Sequence, residues 1–461
     1  MAKEKPSLPK GVRDFLPEQI RKRRFIFRTI QRVFEKYGFE PIETPTFGNL
    51  SVLTGKYGEE GDRLIFKILN SGDYLSKIPA PIDRNDSAAL ASHICEKALR
   101  YDLTVPLARF VVMHQHELVF PFKRYQIQNV WRADRPQKGR YREFSQCDAD
   151  VIGSHSLLHE VDCVLMYDEA LSELGLQDFT IHLNHRKILA AVVESIDEQE
   201  RFVDICIVID KLDKIGMEGV EKELLEKGFS SEKIKKLRMF FEIEGSPVEK
   251  LKKLADLLQA SSTGREGILE METILSHLSL FPLRCAKINL DLTLARGLNY
   301  YTGTIFEVRV NNFEMGSIGG GGRYDNLTGM FGLEGYGGIG ISFGADRIYD
   351  VLEGLNLFQQ LPRFSTQVLL VYFGEAQLKY SLEILQQIRA AGISAEIYPE
   401  AAKLAKQFGY ADKKKIPYVL TAGPSEQEQE KVVLKQMTSG QQEEVAKGKI
   451  VDKLLDLARN F

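Results

Sequence analysis

Between Ile20 and Tyr37 apolar residues return at helical spacing, in the run Ile-Arg-Lys-Arg-Arg-Phe-Ile-Phe-Arg-Thr-Ile-Gln-Arg-Val-Phe-Glu-Lys-Tyr. This predicts an amphipathic helix that ends at Gly38, a residue suited to a left-handed cap. Phe39–Phe47 follows with two prolines and no helical period, which predicts an extended edge or interface segment. From about residue 190 to 280 the texture is almost wholly helical, rich in Lys, Glu and Leu. Its clearest runs are Glu232–Phe241, with Ile234, Leu237 and Phe241 on one face, and Val248–Leu258, with Leu251, Leu254 and Leu258 on one face. Strand texture and glycines return from Leu290 to about Gly354. Beyond a linker at Phe358–Ser365 the pattern alternates. Strands are expected at Gln367–Tyr372, Ser394–Tyr398, Ile416–Leu420 and Lys431–Gln436, and helices at Ala376–Ala391, Ala401–Phe408 and Ile450–Arg459. That order predicts a small α/β domain on a largely parallel sheet.

One hairpin, Lys123–Val151, breaks the usual rule for a two-faced strand. In Lys123–Arg132, Arg124, Gln126, Gln128, Val130 and Arg132 share one side, and Tyr125, Ile127, Asn129 and Trp131 share the other. The return run Phe144–Val151 aligns Phe144, Gln146, Asp148 and Asp150. Between them a cationic loop, Ala133–Arg142, carries Arg135, Lys138, Arg140 and Arg142. A ring, amides, acids and guanidinium groups on one surface suit a ligand with a base, phosphates and an amino group. A plain exposed hairpin with its polar side outward is the competing reading.

Three further segments carry candidate chemistry. In Leu99–Pro106, Asp102 and Thr104 stand two apart. An extended chain would point both to one side, where acid plus hydroxyl receives an ammonium group. The competing reading, which the piece by itself favours, is a local cap at a helix start before Pro106. Ala295–Val308 sets Arg296 beside Gly297, then places Tyr300 and Tyr301 in succession. An arginine beside a glycine approaches an anion closely, and adjacent tyrosines offer two hydroxyls. Gly316–Gly344 is glycine-dense, and Gly335–Gly340 formally fits G-x-G-x-x-G. A loop precedes that match and no helix follows it directly, so the dinucleotide reading is rejected. Arg347 falls in the first turn of a helix expected at Ala345–Leu355. A cation there opposes the helix dipole, and a nearby anion is the natural compensation.

Composition narrows the class. A chain of 461 residues, 44% hydrophobic and 27% charged, is ordinary for a soluble globular protein of about three domains. The net charge of −3 does not advertise a nucleic-acid partner, although Arg21–Arg24 and Lys413–Lys415 are local basic runs. The segment Met-Ala-Lys-Glu-Lys-Pro-Ser has no apolar core, and no window suits a membrane span, so a cytoplasmic location is expected. The five cysteines lack Cys-x-x-Cys spacing, which fits a reducing compartment. The eight histidines show no ligand spacing, and neither a P-loop nor a Gly-x-Ser-x-Gly elbow is present.

Taken in order, these pieces resemble the three motifs of class II aminoacyl-tRNA synthetases: the proline-containing Gly38–Phe47, the hairpin from Arg132 to Asp150, and the junction Gly-Ala-Asp-Arg at 344–347. Leu294–Tyr301, with Gly-Gly-Arg-Tyr-Asp at 321–325, is similar specifically to the histidyl-tRNA synthetase family, and the resemblance spans essentially the whole chain. It implies an α+β catalytic domain with an antiparallel sheet flanked by helices, a helical insertion, and a C-terminal α/β anticodon-binding domain. The expected division is 1–185, 186–284, 285–360 and 364–461. The implied reaction activates L-histidine with ATP and passes it to tRNA(His), in a homodimer with no membrane partner. Mg²⁺ is expected to arrive with ATP, with no protein cage of its own.

The resemblance also implies roles. Arg132 and Arg296 would meet the α-phosphate, Arg140 and Arg347 the outer phosphates, and Phe144 the adenine ring. Asp102, Thr104 and Gln146 would receive the α-amino group. Asp150 and Tyr301, with Tyr300 nearby, would read the imidazole ring. Asp102 and Asp150 stand where many members carry Glu, so charge is kept with a shorter reach. The competing family reading is a non-catalytic paralogue, such as a histidine-sensing regulatory subunit of ATP phosphoribosyltransferase. The tail and the three arginines Arg132, Arg296 and Arg347 oppose it.

Overall fold

The computed structural model describes residues 5–56, 58–76, 78, 86–295, 301–359, 361 and 366–458. The described chain divides into two compact units, residues up to Phe15 with Arg21–Leu357, and Leu16–Ile20 with residues from Phe358 on.

In the first unit the strands are β1 (Glu40–Pro41), β2 (Phe47–Asn49), β3 (Lys67–Ile68), β4 (Lys97–Leu99), β5 (Phe122–Trp131), β6 (Glu143–Ile152), β7 (Phe179–His185), β8 (Ala286–Leu290), β9 (Thr304–Val310), β10 (Gly319–Tyr324) and β11 (Gly338–Gly344). Eight of them form one sheet in the order β1-β5-β6-β11-β10-β9-β7-β8. Its interior is antiparallel, while the edge pairs β1–β5 and β7–β8 are parallel. The expected antiparallel sheet is therefore mixed at both margins. The proline-interrupted segment supplies the two-residue edge strand β1 and, at Phe47, the first residue of β2, since proline cannot continue a ladder. A separate sheet in the order β2-β4-β3 has no counterpart in the sequence expectations; its strands are only two or three residues long.

The alternation along β5 and β6 assigns the two faces of this sheet. The apolar face takes helices. Phe34, from the helix Pro17–Lys36, packs 5.7 Å from the rings of both Tyr125 and Phe343, and Tyr167, from the helix Leu158–Glu173, lies 4.7 Å from Phe343. Arg124, Gln126, Gln146, Asp148 and Asp150 are nonetheless buried on the other face. That face is partly roofed by the helix Thr104–His114, whose Leu107, Ala108 and Val111 pack with Phe122, Ile152 and Tyr324.

Residues 186–278 form a run of helices, Arg186–Glu194, Phe202–Ile209, Leu212–Glu226, Ser231–Phe241, Pro247–Leu257 and Ser262–Leu278. In Ser231–Phe241 the buried residues are Ile234, Leu237 and Phe240. Phe240 replaces the expected Phe241 because the contact stripe follows three-residue steps. Ser246 and Glu249 form a reciprocal capping box at the start of Pro247–Leu257.

The second unit carries β12 (Val368–Tyr372), β13 (Ala395–Ile397), β14 (Tyr418–Ala422), β15 (Lys431–Gln436) and β16 (Gln442–Ala446) in the order β13-β12-β14-β15-β16. The first three are parallel and the last two antiparallel. Val368 and Leu370 enter one apolar cluster and Leu369 and Val371 another, so β12 is apolar without alternation because both faces are covered. The helix expected at Ala401–Phe408 runs from Leu404 to Lys413. The strand β16 gave no signal in the sequence, because four of its five residues are exposed and only Val445 is buried.

Candidate functional site

The site is built on the polar face of β5, β6 and β11. Their register sets Arg124 opposite Asp150, Gln126 opposite Asp148 and Gln128 opposite Gln146, with Ser342 beside Asp148 and Gly340 beside Asp150. This face is not the exposed hairpin of the competing reading: Arg124 is 0% exposed and Asp148 and Asp150 are each 3% exposed.

Arg124 Nη2 lies 2.7 Å from Asp150 Oδ2 and also donates to the carbonyl of Leu103 at 3.4 Å, while its Nη1 donates to Gln126 Oε1 at 3.2 Å. Tyr324, from β10, donates its hydroxyl to Asp150 Oδ1. Room for this carboxylate depends on Gly340: a Cβ there would fall 1.9 Å from Asp150 Oδ1. Gly322 does the same for Tyr301, whose ring carbon would lie 2.7 Å from an added Cβ. Two glycines of the dense run thus make way for two candidate histidine readers. The run itself forms antiparallel strands, consistent with rejecting a dinucleotide loop.

Burial pushes the Asp148 carboxyl up to about 7 against the charge of Arg124; Asp150 and Asp102 add to the rise, and a hydrogen bond from Ser342 opposes it. Burial also raises Asp150, with Arg124 and the Tyr324 hydroxyl pulling it back. The pocket thus gathers three carboxyls, Asp102, Asp148 and Asp150, around the Arg124 cation.

Arg132 connects this pocket to the loop. Its Nε donates to the Tyr101 carbonyl at 3.1 Å and its Nη2 to Gln146 Oε1 at 3.4 Å. The guanidinium carbon stands 4.3 Å from the Tyr101 ring centre and 5.2 Å from that of Phe144. Arg347 is the third residue of the helix Ala345–Gly354. Its Nε donates to the Gly139 carbonyl at 2.9 Å and its Nη1 to the Ser317 carbonyl at 2.6 Å. These bonds set Arg347 against the loop that carries Arg140, whose exposed guanidinium lies 3.8 Å from Asp134. The neighbouring Asp346 serves the fold: it takes Arg13 and Arg23 and accepts the Ser145 N–H at 2.9 Å.

Of the two readings of Leu99–Pro106, the backbone adopts the local cap. Thr104 does not follow Asp102 in an extended stretch; it is the first residue of a helix, and Asp102 Oδ1 accepts the Val105 N–H at 3.2 Å. The local-cap alternative describes this backbone, because an acid just before a helix satisfies its otherwise unpaired N–H groups. Asp102 is still near enough for its charge to act on Asp148. Arg296 and Tyr300 lie outside the described residues, as does part of the linker Phe358–Ser365. Arg124, Asp148 and Tyr324 received no role from the sequence, although the period-two alternation already put the first two on the polar side.

Among the described residues no group of three or more His, Cys, Asp or Glu side chains is arranged to hold a metal ion, and no helix is long and apolar enough to cross a membrane. The described cysteines are all free thiols.

A family model for histidyl-tRNA synthetase matches residues 11–76 and 96–348, and one for an anticodon binding domain matches residues 367–457. The chain is 56% identical over 441 residues to a histidine–tRNA ligase of Christiangramia forsetii, covering 95% of this chain and 97% of that one. A histidine–tRNA ligase of Bacteroides fragilis is 54% identical over 452 residues, covering 98% and 99%. The crystal structure of histidyl-tRNA synthetase from a Nostoc species superposes with a TM-score of 0.83 at 33% identity, covering 98% of this chain and 100% of that one. The matched residues, the near-full-length relatives and the shared fold agree, and the chain belongs to the histidyl-tRNA synthetase family.

Proposed function

We propose that the protein is a histidine–tRNA ligase. In the first step a carboxylate oxygen of L-histidine attacks the α-phosphorus of ATP, giving histidyl-adenylate and pyrophosphate. In the second, a hydroxyl of the terminal ribose of tRNA(His) attacks the acyl carbon and AMP leaves. Both steps are displacements at crowded negative centres, so alignment and charge stabilisation carry the catalysis and no covalent enzyme intermediate is needed.

The observation that carries this reading is Arg132, held between Gln146 and the Phe144 ring. A cation at that point bridges an amino-acid subsite and a base-stacking subsite, where an α-phosphate must lie. Under this reading Arg296 joins Arg132 at the α-phosphate, and Arg140 and Arg347 take the outer phosphates. The α-ammonium group meets Asp102, Thr104 and Gln146. The imidazole ring meets Asp150 and Tyr301, with Tyr300 beside them. Asp150 retains acceptor capacity after Arg124 and Tyr324 are satisfied, since a carboxylate has about four lone-pair positions. Mg²⁺ enters on the nucleotide as part of that substrate.

The same reading divides the chain into a catalytic domain at 1–185 and 285–360, a helical insertion at 186–284 and an anticodon-binding domain at 364–461. It makes the protein a cytoplasmic homodimer built partly through the first motif. The regulatory-subunit alternative is disfavoured: relatives named histidine–tRNA ligase match along nearly the whole chain. The test is histidine-dependent ATP–pyrophosphate exchange. Exchange with histidine alone among the amino acids is expected; a folded protein without it refutes the proposal.

A further inference from the structure

Asp148 stands between Gln146 and Asp150 on the same strand face, 3% exposed. A third carboxyl beside Asp150 and Asp102 is costly to bury, so its hydrogen bonds are informative. Gln146 Nε2 donates to Ser342 Oγ at 3.0 Å and to Asp148 Oδ1 at 3.4 Å, while Gln146 Oε1 accepts from Arg132 at 3.4 Å. A glutamine amide has two donors at one end and an acceptor at the other, on nearly identical shapes, so its neighbours decide which way it points. A carboxyl keeps an acceptor oxygen whether ionised or protonated. Asp148 thus supplies one of the two acceptors that hold Gln146 Nε2, and the one of the two that cannot lose its acceptor oxygen.

We propose that Asp148 is a positioning residue for the amino-acid half of the reaction, holding the Gln146 amide with its oxygen toward Arg132 and the incoming α-ammonium group. The inference rests on the reading that Gln146 receives that group. A turned amide would aim N–H donors at two cations, losing an acceptor where the substrate needs one.

The test is steady-state ATP–pyrophosphate exchange by the full chain, with separate KM values for histidine and ATP. Asp148→Ala is expected to raise the histidine KM about tenfold and leave the ATP KM unchanged, since one charge-assisted hydrogen bond is lost. Asp148→Asn keeps an acceptor oxygen and is expected within about threefold of wild type. In the Gln146→Glu background orientation no longer matters, because both carboxylate oxygens accept. There Asp148→Ala is expected to be neutral or favourable, giving a double-mutant cycle that does not add. An unchanged histidine KM in Asp148→Ala overturns the proposal, as does an equal loss in Asp148→Asn or additivity of the two substitutions. If Asp148→Ala loses its cooperative melt, Asp148→Val takes its place with the same expectation. Absence of exchange in the wild-type protein instead overturns the ligase reading, and this inference with it.

Discussion

The two ends of the candidate site are built in opposite ways. At the proposed amino-acid end, Asp148, Asp150 and Arg124 are almost fully buried, and Asp150 is held by both Arg124 and Tyr324. At the proposed nucleotide end, Arg140 is exposed and pairs with Asp134 at 3.8 Å, while Arg132 and Arg347 are half-buried and held by main-chain carbonyls. A small, selective ligand calls for groups whose positions are set in advance, because a misplaced buried polar group costs about 1–3 kcal/mol. A triphosphate brings its own charge, so exposed guanidinium groups suffice to meet it. Selectivity is thus paired with burial, and charge stabilisation with access.

The largest expected effect tests the nucleotide end. Arg132→Ala and Arg296→Ala should each lower the exchange rate by about 10²–10³ while leaving calorimetric histidine binding in place, the scale for losing a preorganised charge donor. Equal losses in binding would mean that these arginines serve the amino-acid end as well. Next, Gly340→Ala brings a Cβ within 1.9 Å of Asp150 Oδ1 and should cost about 1–3 kcal/mol in thermal or denaturant unfolding. It should also raise the histidine KM before the ATP KM. A normal melt would mean that Asp150 can retreat and that this end is less rigid than its burial implies.

A smaller effect depends on pH. Asp148 titrates near about 7 in the folded chain against an ordinary value of 3.8, so the folded state binds its proton more tightly than the unfolded one. Its contribution to stability is fully present below about pH 4 and is lost as pH rises through about 7. The melting temperature of wild type relative to Asp148→Asn should therefore fall between about pH 4 and pH 7; a constant difference would remove the titration. The smallest effect is at the exposed margin. Arg140→Ala should raise the ATP KM a few-fold and leave the melting temperature within error, as expected for a solvated ion pair.

Much of the architecture was legible because it depends on local period. The helix from residue 17 to 36, the helical run after residue 186 and the strand Lys431–Gln436 follow from spacing alone. The opposed faces of β5 and β6 were legible for the same reason, since side chains alternate whatever the strand packs against. The polar strand Gln442–Ala446 was not, because at a sheet edge pairing rather than burial makes the strand. The backbone at Asp102 was legible too, since the segment by itself favours a local helix cap before Pro106 over an extended stretch.

For the site, the sequence by itself determined which residue types share a surface: arginines, amides, a ring and two acids, in an order that resembles one family. It did not determine what any of them touches. That Asp150 is held by Arg124 and Tyr324, that Gly340 makes way for it, and that Arg347 is tied to the loop carrying Arg140 were decided only by the tertiary structure. The physical reason is range. Alternation and capping act over a few residues, whereas these contacts join strands separated by long stretches of chain and exist only once the sheet has closed.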